Sequence, residues 1–540
     1  MAGPGGNLFN LGAVPIAVMT DSYKAGHFMM YPDALKMVAY GEFRAGFGGD
    51  KEDTRIVAYG IRYLIENFVS KQWTQKDVDD AALFYSTHNA PFFTDYPFPK
   101  DLFSKFVNEN NGYFPVKMQA LLEGTVIHAH VPVYQITAEA PYAKLVTFLE
   151  TLLTWVWYPS TVATLSRRAR DAVEDAFEKS VDGGKESPLL GSKLHDFGFR
   201  GCTGAEQAII GGCAHLLNFE GSDTMAAAYY AQFTLNNGKP VAMSVPASEH
   251  SVMTAWATEK EAIEVMIDRF GGGNGVLSIV MDSYDYVHAL EEILPAVASK
   301  KIAKGGFLVL RPDSGDPAEA VLQGLAAGEK VFGVDVNQKG YKVVRGCGVI
   351  QGDGINLATM KLILEAVLKA GYSAQCVTFG MGGGLLQKVN RDTMSFATKL
   401  SHITYADGRS RAVMKCPKTD ASKFSLPGIL QVRRDNGIPT VYQVADNGAG
   451  RVFSEEENLL KVVYDKGPVK NLQWDDFATV RARIKAEWPQ MPRAANPLSG
   501  QIQEAIKEYR VNMAQQFAEE AAAKAKKAAE EAAKLKADNI

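Results

Sequence analysis

Between Val276 and Gly383 the chain alternates short, continuously apolar stretches with longer segments whose apolar residues recur at helical spacing. The apolar stretches are VLSIVMDSYD, FLVLRPDSGDP, GCGVIQGDGI and CVTFGMGGG. Each breaks off at an acidic or glycine-rich turn, carrying Asp282, Asp313, Asp353 or the pair Gly382 and Gly383. YVHALEEILPAVA, PAEAVLQGLAAG and LATMKLILEAVLKAG lie between them and read as amphipathic helices. An apolar strand, a polar turn and an amphipathic helix make the βα unit of a parallel sheet buried on both faces. In such sheets the loops after the strand C-termini converge on one face, so Asp282, Asp313, Asp353 and the two glycines are expected to share one site. Three carboxylates beside a glycine cradle suit a sugar or phosphate substrate with a divalent metal.

Elsewhere the pattern is mixed. From about Val14 to Trp157, helix-like IRYLIENFVSKQW alternates with strand-like GTVIHAHVPVYQITA, and acids do not recur at strand ends. TFLETLLTWVWYP, interrupted by Glu150, reads as a buried helix. STVATLSRRARDAVEDAFEKS has helical spacing, and the turn cluster DGGKESP after it marks a boundary. Beyond Lys399, GRSRAVMKCPK and ILQVRRDNGIPTVYQVAD suggest hairpins. The expected organisation is a mixed α/β domain over residues 1–185, joined by 400–510, packed with an irregular parallel, TIM-like α/β barrel over 186–399. An Ala/Lys/Glu-rich tail over 511–540 has high helix propensity and little to bury, which favours a solvated helix over a coiled coil. The glycine-rich residues 1–10 are expected to fray.

A chain of 540 residues exceeds one ordinary core, and 46% hydrophobic with 22% charged residues is the composition of a folded protein. The net charge of −4 gives no general attraction to nucleic acid or anionic membranes, so any phosphate binding has to be local. Cys202, Cys213, Cys347, Cys376 and Cys416 are odd in number and contain no CxxC pair, which argues against a disulfide framework and a zinc site. No basic segment precedes an apolar core at the N-terminus, and the apolar stretch Leu11 to Met19 is too short to span a bilayer. A cytoplasmic protein is expected.

In GMGGGLLQK, Gly380 to Lys388, a strand ends and glycines precede a helical turn, an arrangement that aims backbone N–H groups at a phosphate. Leu385 stands where the last Rossmann glycine belongs, and no GxxxxGK[ST] occurs, so dinucleotide-fold and P-loop readings lose their support. A plain tight turn is the alternative; Arg391 and Lys399 downstream tilt the reading towards phosphate. In RPDSGDP, Asp313 has a second reading as the cap of a helix starting near Pro317, although Ser314 or Asp316 can cap it instead. Asp282 and Asp353 carry the same ambiguity. Three acids on one face are costly unless cations or substrate hydroxyls compensate. Taken alone, His195 and His215 read as structural or solvated. His250, after Glu249 and beside Ser251 in a turn introduced by proline, is the better candidate for chemistry near neutral pH.

TDSYKAGH, YGEFR, WYPSTVAT, KLHDFGFRG, NFEGSDT, SVPASEHS, DSYD, RPDSGDP, IQGDG and FGMGGGLLQKVNRD follow one another from about Asp21 to Lys415. In that order and spacing the chain resembles the nicotinamide phosphoribosyltransferase family of type II phosphoribosyltransferases. The resemblance implies transfer of phosphoribose from 5-phosphoribosyl-1-pyrophosphate to nicotinamide with Mg²⁺, with ATP hydrolysis as an optional driver. It also implies an irregular α/β barrel packed with a second α/β domain, and a homodimer with active sites at the interface. Carried over by motif, Phe197 and the partner subunit's Tyr23 sandwich the pyridine ring, Asp223 accepts the amide N–H, and Arg311 contacts the ring substituent. Arg200 contacts phosphate or pyrophosphate. Asp313 and Asp353, with Asp282 nearby, serve the ribose hydroxyls, and Asp282 and Asp313 serve the metal through water. Gly352, Gly382 and Gly383 surround the ribose phosphate, while Arg44, Arg391, Lys399 and Lys415 reach phosphate across the dimer. His250 matches the histidine the family phosphorylates with ATP.

Two departures stand out: TMSFAT before Lys399 lacks polar residues expected for further phosphate contacts, which weakens the case for ATP affinity, and the tail has no counterpart in the family pattern. A nicotinate phosphoribosyltransferase is the nearest rival, but Asp223 would repel an acid substrate. A non-catalytic relative would be expected to lack some of Asp313, Asp353, Arg311 and His250, and all four are present. A glycosidase using paired carboxylates leaves the glycine cradle unexplained.

Overall fold

A computed structural model describes residues 14–417, 423–444 and 453–537; the glycine-rich residues 1–10 lie outside them. Two six-stranded sheets organise the chain. In chain order their strands are β1 (Ala34–Phe43), β2 (Val116–Ala120), β3 (Pro132–Glu139), β4 (Leu194–Asp196), β5 (Gly221–Ser222), β6 (Gly273–Val280), β7 (Gly305–Arg311), β8 (Cys347–Gln351), β9 (Val377–Met381), β10 (Phe396–Tyr405), β11 (Ser410–Ala412) and β12 (Lys461–Asp465). The helices that matter for the site are α1 (Ser22–Met30), α2 (Trp157–Ser180), α3 (Met225–Tyr230), α4 (His250–Thr254), α5 (Pro317–Phe332), α6 (Leu357–Lys369), α7 (Gly383–Leu386) and α8 (Gly500–Ala537).

The first sheet is parallel, in the order β5-β4-β9-β8-β7-β6. β8 is buried at every position and β9 at all but Thr378, so a strand with no solvent face loses the polar alternation and reads as a continuous apolar run. The sheet curls into an irregular half-barrel. Single bridges from Met243 to Gly221 and from Ala247 to Ser278 lay the segment 243–247 between its two edge strands, β5 and β6. This seam has no regular strand, which is why no periodic pattern announces it.

The capping question resolves at all three acidic turns. Asp316 caps α5, accepting from the N–H groups of Ala318 and Glu319 at 3.0 Å. Asn356 caps α6, and Asp285 accepts from the His288 N–H in the short helix Tyr286–His288. Each turn therefore carries a dedicated cap, and Asp282, Asp313 and Asp353 are left free of that duty.

The second sheet is antiparallel, in the order β11-β10-β1-β3-β2-β12, and pairs strands from both ends of the chain; Tyr40 of β1 stands opposite Lys399 of β10. GRSRAVMKCPK supplies β11, the second arm of a hairpin with β10. Ile429–Asp435 and Ile438–Val444 form the second expected hairpin, whose continuation to Asp446 lies outside the described residues. Each sheet has its own apolar core, and α2 packs along the core of the parallel sheet. TFLETLLTWVWYP is two helices rather than one, Glu150–Thr154 and the start of α2, with Pro159 in the first turn of α2, where a missing N–H costs no helical bond. The final helix α8 begins at Gly500, buries Ile502 and Ile506, and leaves Val511 and Phe517 exposed. Among the described residues no helix is long and apolar enough to cross a membrane.

Candidate active site

Phe197 leaves the end of β4, its N–H donating to the Met381 carbonyl at 3.0 Å. Its ring lies against the backbone of the neighbouring strand ends. A Cβ on Gly380 would fall 2.0 to 2.6 Å from three ring atoms, and one on Gly352 would fall 3.1 Å from the ring, so glycine is what lets an aromatic face settle here. Arg311, at the end of β7, holds its guanidinium carbon 5.8 Å from the Phe197 ring centroid and donates to Asp313 Oδ1 at 2.9 Å. On another side of the ring stands His195, at 6.4 Å between ring centroids. Its Nδ1 is 3.6 Å from Asp223 Oδ1. Phe197, His195, Asp223 and Arg311 line a cavity of about 350 Å³ whose further walls include Val276, Val309, Val344 and Ile350. A flat ring with one polar substituent fits such a chamber: apolar walls for the ring, an acid and a base for the substituent.

The turn below the ring is held by a buried acid. Asp196 is wholly enclosed, its Oδ1 accepts from the Gly198 N–H at 2.7 Å, and its backbone carbonyl accepts from the Asp223 N–H at 3.0 Å. Burial pushes the Asp196 carboxyl up to about 6. Burial likewise pushes the Lys193 ammonium, which donates to the Gln375 carbonyl, down to about 8.

Beside Arg311 the acids converge. Asp282 Oδ2 accepts from the Asp313 N–H at 3.0 Å and from the Ser314 hydroxyl, which locks two successive strand ends together. His250, the first residue of α4, has Nε2 at 3.4 Å from Asp313 Oδ2 and 3.9 Å from Asp282 Oδ1, while Nδ1 meets the Ser283 hydroxyl at 3.2 Å. It begins a short helix where a turn was expected. Asp353 is exposed at the end of β8, next to Gly352, and makes no ion pair among the described residues. Gly382 caps the single turn α7, whose first N–H groups, including that of Gly383, have no intrahelical acceptor. Arg200 is exposed in the turn after Phe197.

Among the described residues no three metal-binding side chains converge. Asp282 Oδ1 is nonetheless buried without a hydrogen-bond partner, next to Asp313. Two hard oxygen donors suit an ion that keeps several waters and takes the rest of its shell from substrate phosphates.

The remaining cations form a separate set around β1 and β10. Lys399 is held below its usual range, first by burial, with Arg44 and Lys415 adding repulsion and Glu150 opposing it. Arg44 donates to the Ser395 carbonyl at 3.1 Å, and Arg391 is exposed. Tyr23, on α1, is also exposed; its ring meets His27, and Glu150, Asp21 and Arg391 are the charges around its hydroxyl. Among the described residues no hydrogen bond or ion pair joins this set to Phe197, Asp223, Asp313 or His250.

The two histidines read as structural are both buried. His215 is enclosed between the Ser166 hydroxyl and the carbonyls of Leu194 and Gly221, and burial drives it down to about 4. His195 is buried against Asp223 in the wall of the cavity. Gly380, Asp196 and Ser244 were overlooked. Ser244 donates to Asp223 Oδ1 at 2.8 Å. The hint in the sequence is that Gly380 and Asp196 lie inside GMGGGLLQK and KLHDFGFRG and that Ser244 opens the polar segment SVPASEHS.

Residues 15–118 match the family model "Nicotinamide phosphoribosyltransferase, N-terminal domain", and residues 192–466 match the "Nicotinate phosphoribosyltransferase (NAPRTase) family". A nicotinamide phosphoribosyltransferase of Xanthomonas campestris is 37% identical over 475 residues, covering 86% of this chain and 97% of that protein. One from Acinetobacter baylyi is 28% identical over 491 residues, covering 83% and 93%. Among solved structures, nicotinate-nucleotide pyrophosphorylase from Pyrococcus furiosus superposes with a TM-score of 0.57 at 15% identity over 90% of this chain and 98% of its own. Human nicotinic acid phosphoribosyltransferase gives 0.56 at 18% over 91% and 100%. At these identities the two structures speak to the fold alone.

Proposed function

Starting from the membership of this chain in the nicotinamide phosphoribosyltransferase family, we infer how its own residues carry out the transfer of phosphoribose to nicotinamide in NAD salvage. The observation that carries the reading is the Phe197 ring at the parallel strand ends, with Asp223 in one wall and the Arg311–Asp313 pair in another. In the reaction the pyridine nitrogen forms a bond to the anomeric carbon of 5-phosphoribosyl-1-pyrophosphate. The anomeric C–O bond breaks, and pyrophosphate leaves with the electron pair. No proton moves and no covalent nucleophile is required, so catalysis is a matter of placement and charge. Phe197 orients the ring, Asp223 accepts from the carboxamide N–H, and Arg311 meets the carboxamide oxygen. Asp313 and Asp353 face the ribose hydroxyls, beside the anomeric carbon and ring oxygen on which positive charge develops. Arg200 and the turn from Gly382 to Gly383 receive the phosphate groups. Asp282 and Asp313 would hold magnesium, which would compensate the negative charge of the departing pyrophosphate.

The working unit in this reading is a homodimer. Among the described residues no hydrogen bond or ion pair links Tyr23, Arg44, Arg391, Lys399 or Lys415 to the Phe197 pocket within one chain, and in this reading the partner subunit's Tyr23 completes each pocket. The exposed stripe Met225, Tyr229 and Phe233, two residues beyond Asp223, is an apolar surface for such a contact. ATP coupling goes through His250, half-exposed at the start of α4, which takes the γ-phosphoryl group on a ring nitrogen as the P–O bond to ADP breaks. The reading includes a cytoplasmic location, supported by five unpaired thiols. The test is formation of nicotinamide mononucleotide and pyrophosphate from the two substrates with Mg²⁺, run in parallel with nicotinate. Product from nicotinamide well ahead of nicotinate is expected; equal or preferred use of nicotinate would overturn the assignment of Asp223.

A further inference from the structure

Asp223 is half-exposed, and a carboxylate on a loop rotates freely unless something commits one of its oxygens. Here two side chains converge on the same oxygen. The Ser244 hydroxyl donates to Oδ1 at 2.8 Å, and His195 Nδ1 stands 3.6 Å from that same Oδ1. Among the described residues no hydrogen bond to Asp223 Oδ2 accompanies them. His195 is buried, and its Nδ1 has no hydrogen-bond partner among the described residues.

Both partners are fixed by backbone. A Cβ on Gly221 would fall 2.5 to 2.8 Å from three atoms of the His195 ring, so the ring lies flat on β5 because residue 221 has no side chain. Ser244 belongs to the seam that joins the edges of the half-barrel. The Met243 N–H donates to the Glu220 carbonyl at 2.7 Å, and the Ser222 N–H donates to the Met243 carbonyl at 3.1 Å. The Asp223 N–H is itself bonded to the Asp196 carbonyl.

We propose that Ser244 and His195 are positioning residues for Asp223, committing Oδ1 to the protein and presenting Oδ2 to the carboxamide, so that base selectivity belongs to a three-residue unit at the seam. The proposal rests on the reading of Asp223 as the amide acceptor. A free rotor would spend part of its time with both oxygens turned away, and the cost would fall on the base alone.

The test compares Ser244→Ala, Ser244→Thr, His195→Gln and Asp223→Asn in the full-length enzyme, with kcat and KM for nicotinamide, nicotinate and 5-phosphoribosyl-1-pyrophosphate. Loss of a hydrogen bond to a charged group is expected to raise the nicotinamide KM of Ser244→Ala roughly tenfold. The KM for 5-phosphoribosyl-1-pyrophosphate should stay within about twofold, Ser244→Thr should restore the nicotinamide KM, and His195→Gln should fall between. Adding Ser244→Ala to Asp223→Asn should cost nothing further. If Asp223→Asn shifts the nicotinamide-to-nicotinate ratio while Ser244→Ala and His195→Gln leave it and the nicotinamide KM unchanged, the positioning proposal is wrong. If Asp223→Asn itself leaves the ratio unchanged, the underlying reading of Asp223 fails instead.

Discussion

The contact between Phe197 and Gly380 offers the sharpest perturbation. Gly380→Ala adds one methyl group, and the backbone of residue 380 is an ordinary β-strand position, so alanine brings no conformational penalty of its own. The added carbon would sit 2.0 Å from Phe197 Cε2, 2.2 Å from Cδ2 and 2.6 Å from Cζ, where real contacts need more than 3 Å. β9 is buried and paired on both sides, whereas the Phe197 ring has the cavity on its open side. The ring is the part that yields. Overpacking that a mobile ring can relieve should lower the thermal midpoint by only a few degrees. Displacing the platform should cost about 1 to 2 kcal/mol of ring stacking, which is about five- to thirtyfold in kcat/KM for nicotinamide. Initial-rate kinetics with each substrate varied separately read this out: the loss should appear with nicotinamide, and the KM for 5-phosphoribosyl-1-pyrophosphate should hardly move. Phe197→Ala placed on top of Gly380→Ala should cost much less than Phe197→Ala alone. A folded Gly380→Ala enzyme with nicotinamide kcat/KM within twofold of the parent would refute the idea that this ring is the platform.

Three further outcomes are expected. His250→Ala should abolish ATP hydrolysis and ATP stimulation while leaving part of the uncoupled transfer, and an intact ATPase in that variant would remove His250 from the role. Tyr23→Ala and Asp313→Ala homodimers should each be nearly inactive; co-expression should return about a quarter of parent activity, because about half the dimers are mixed and each holds one site free of both lesions. No recovery in verified mixed dimers would place both residues in one chain's site. Asp196→Asn should change the pH dependence of stability: burial pushes the folded carboxyl up to about 6 from the ordinary 3.8, so its contribution is complete below the unfolded-state pKa and is lost as pH rises through about 6. Thermal melts at pH 4.5 and 7 should show the variant gaining on the parent across that window, by about 2 kcal/mol, and a constant difference would mean that Asp196 is not so shifted.

The parallel half of the molecule was legible because a strand covered on both faces must be apolar throughout, as β8 and β9 are, and because the apolar cavity wall keeps β6 and β7 apolar as well. The acids were legible as a group but not as free groups. It is in the folded chain that Asp285, Asp316 and Asn356 take the capping work. Pairing of β1 with β10 joins residues from opposite ends of the chain, and no local pattern carries that information. In GMGGG the run drew attention to Gly382 and Gly383, although it is Gly380 whose missing side chain makes room for the ring. Ser244 and His195 escaped for a related reason. A serine in a seam held by single bridges and a lone histidine in a three-residue strand have no periodicity, and their meaning lies in what faces them.

The central claim is that one pocket at the parallel strand ends, resting on Phe197, receives the base and hands it the phosphoribosyl group. A crystal structure of the enzyme with nicotinamide mononucleotide, pyrophosphate and Mg²⁺ tests it most directly. The pyridine ring should stack on Phe197 with its carboxamide nitrogen within hydrogen-bonding distance of Asp223 Oδ2, the ribose hydroxyls should face Asp313 and Asp353, and the 5′-phosphate should lie over Gly382 and Gly383. A nucleotide bound with its ring away from Phe197, or with its carboxamide turned from Asp223, would contradict the account.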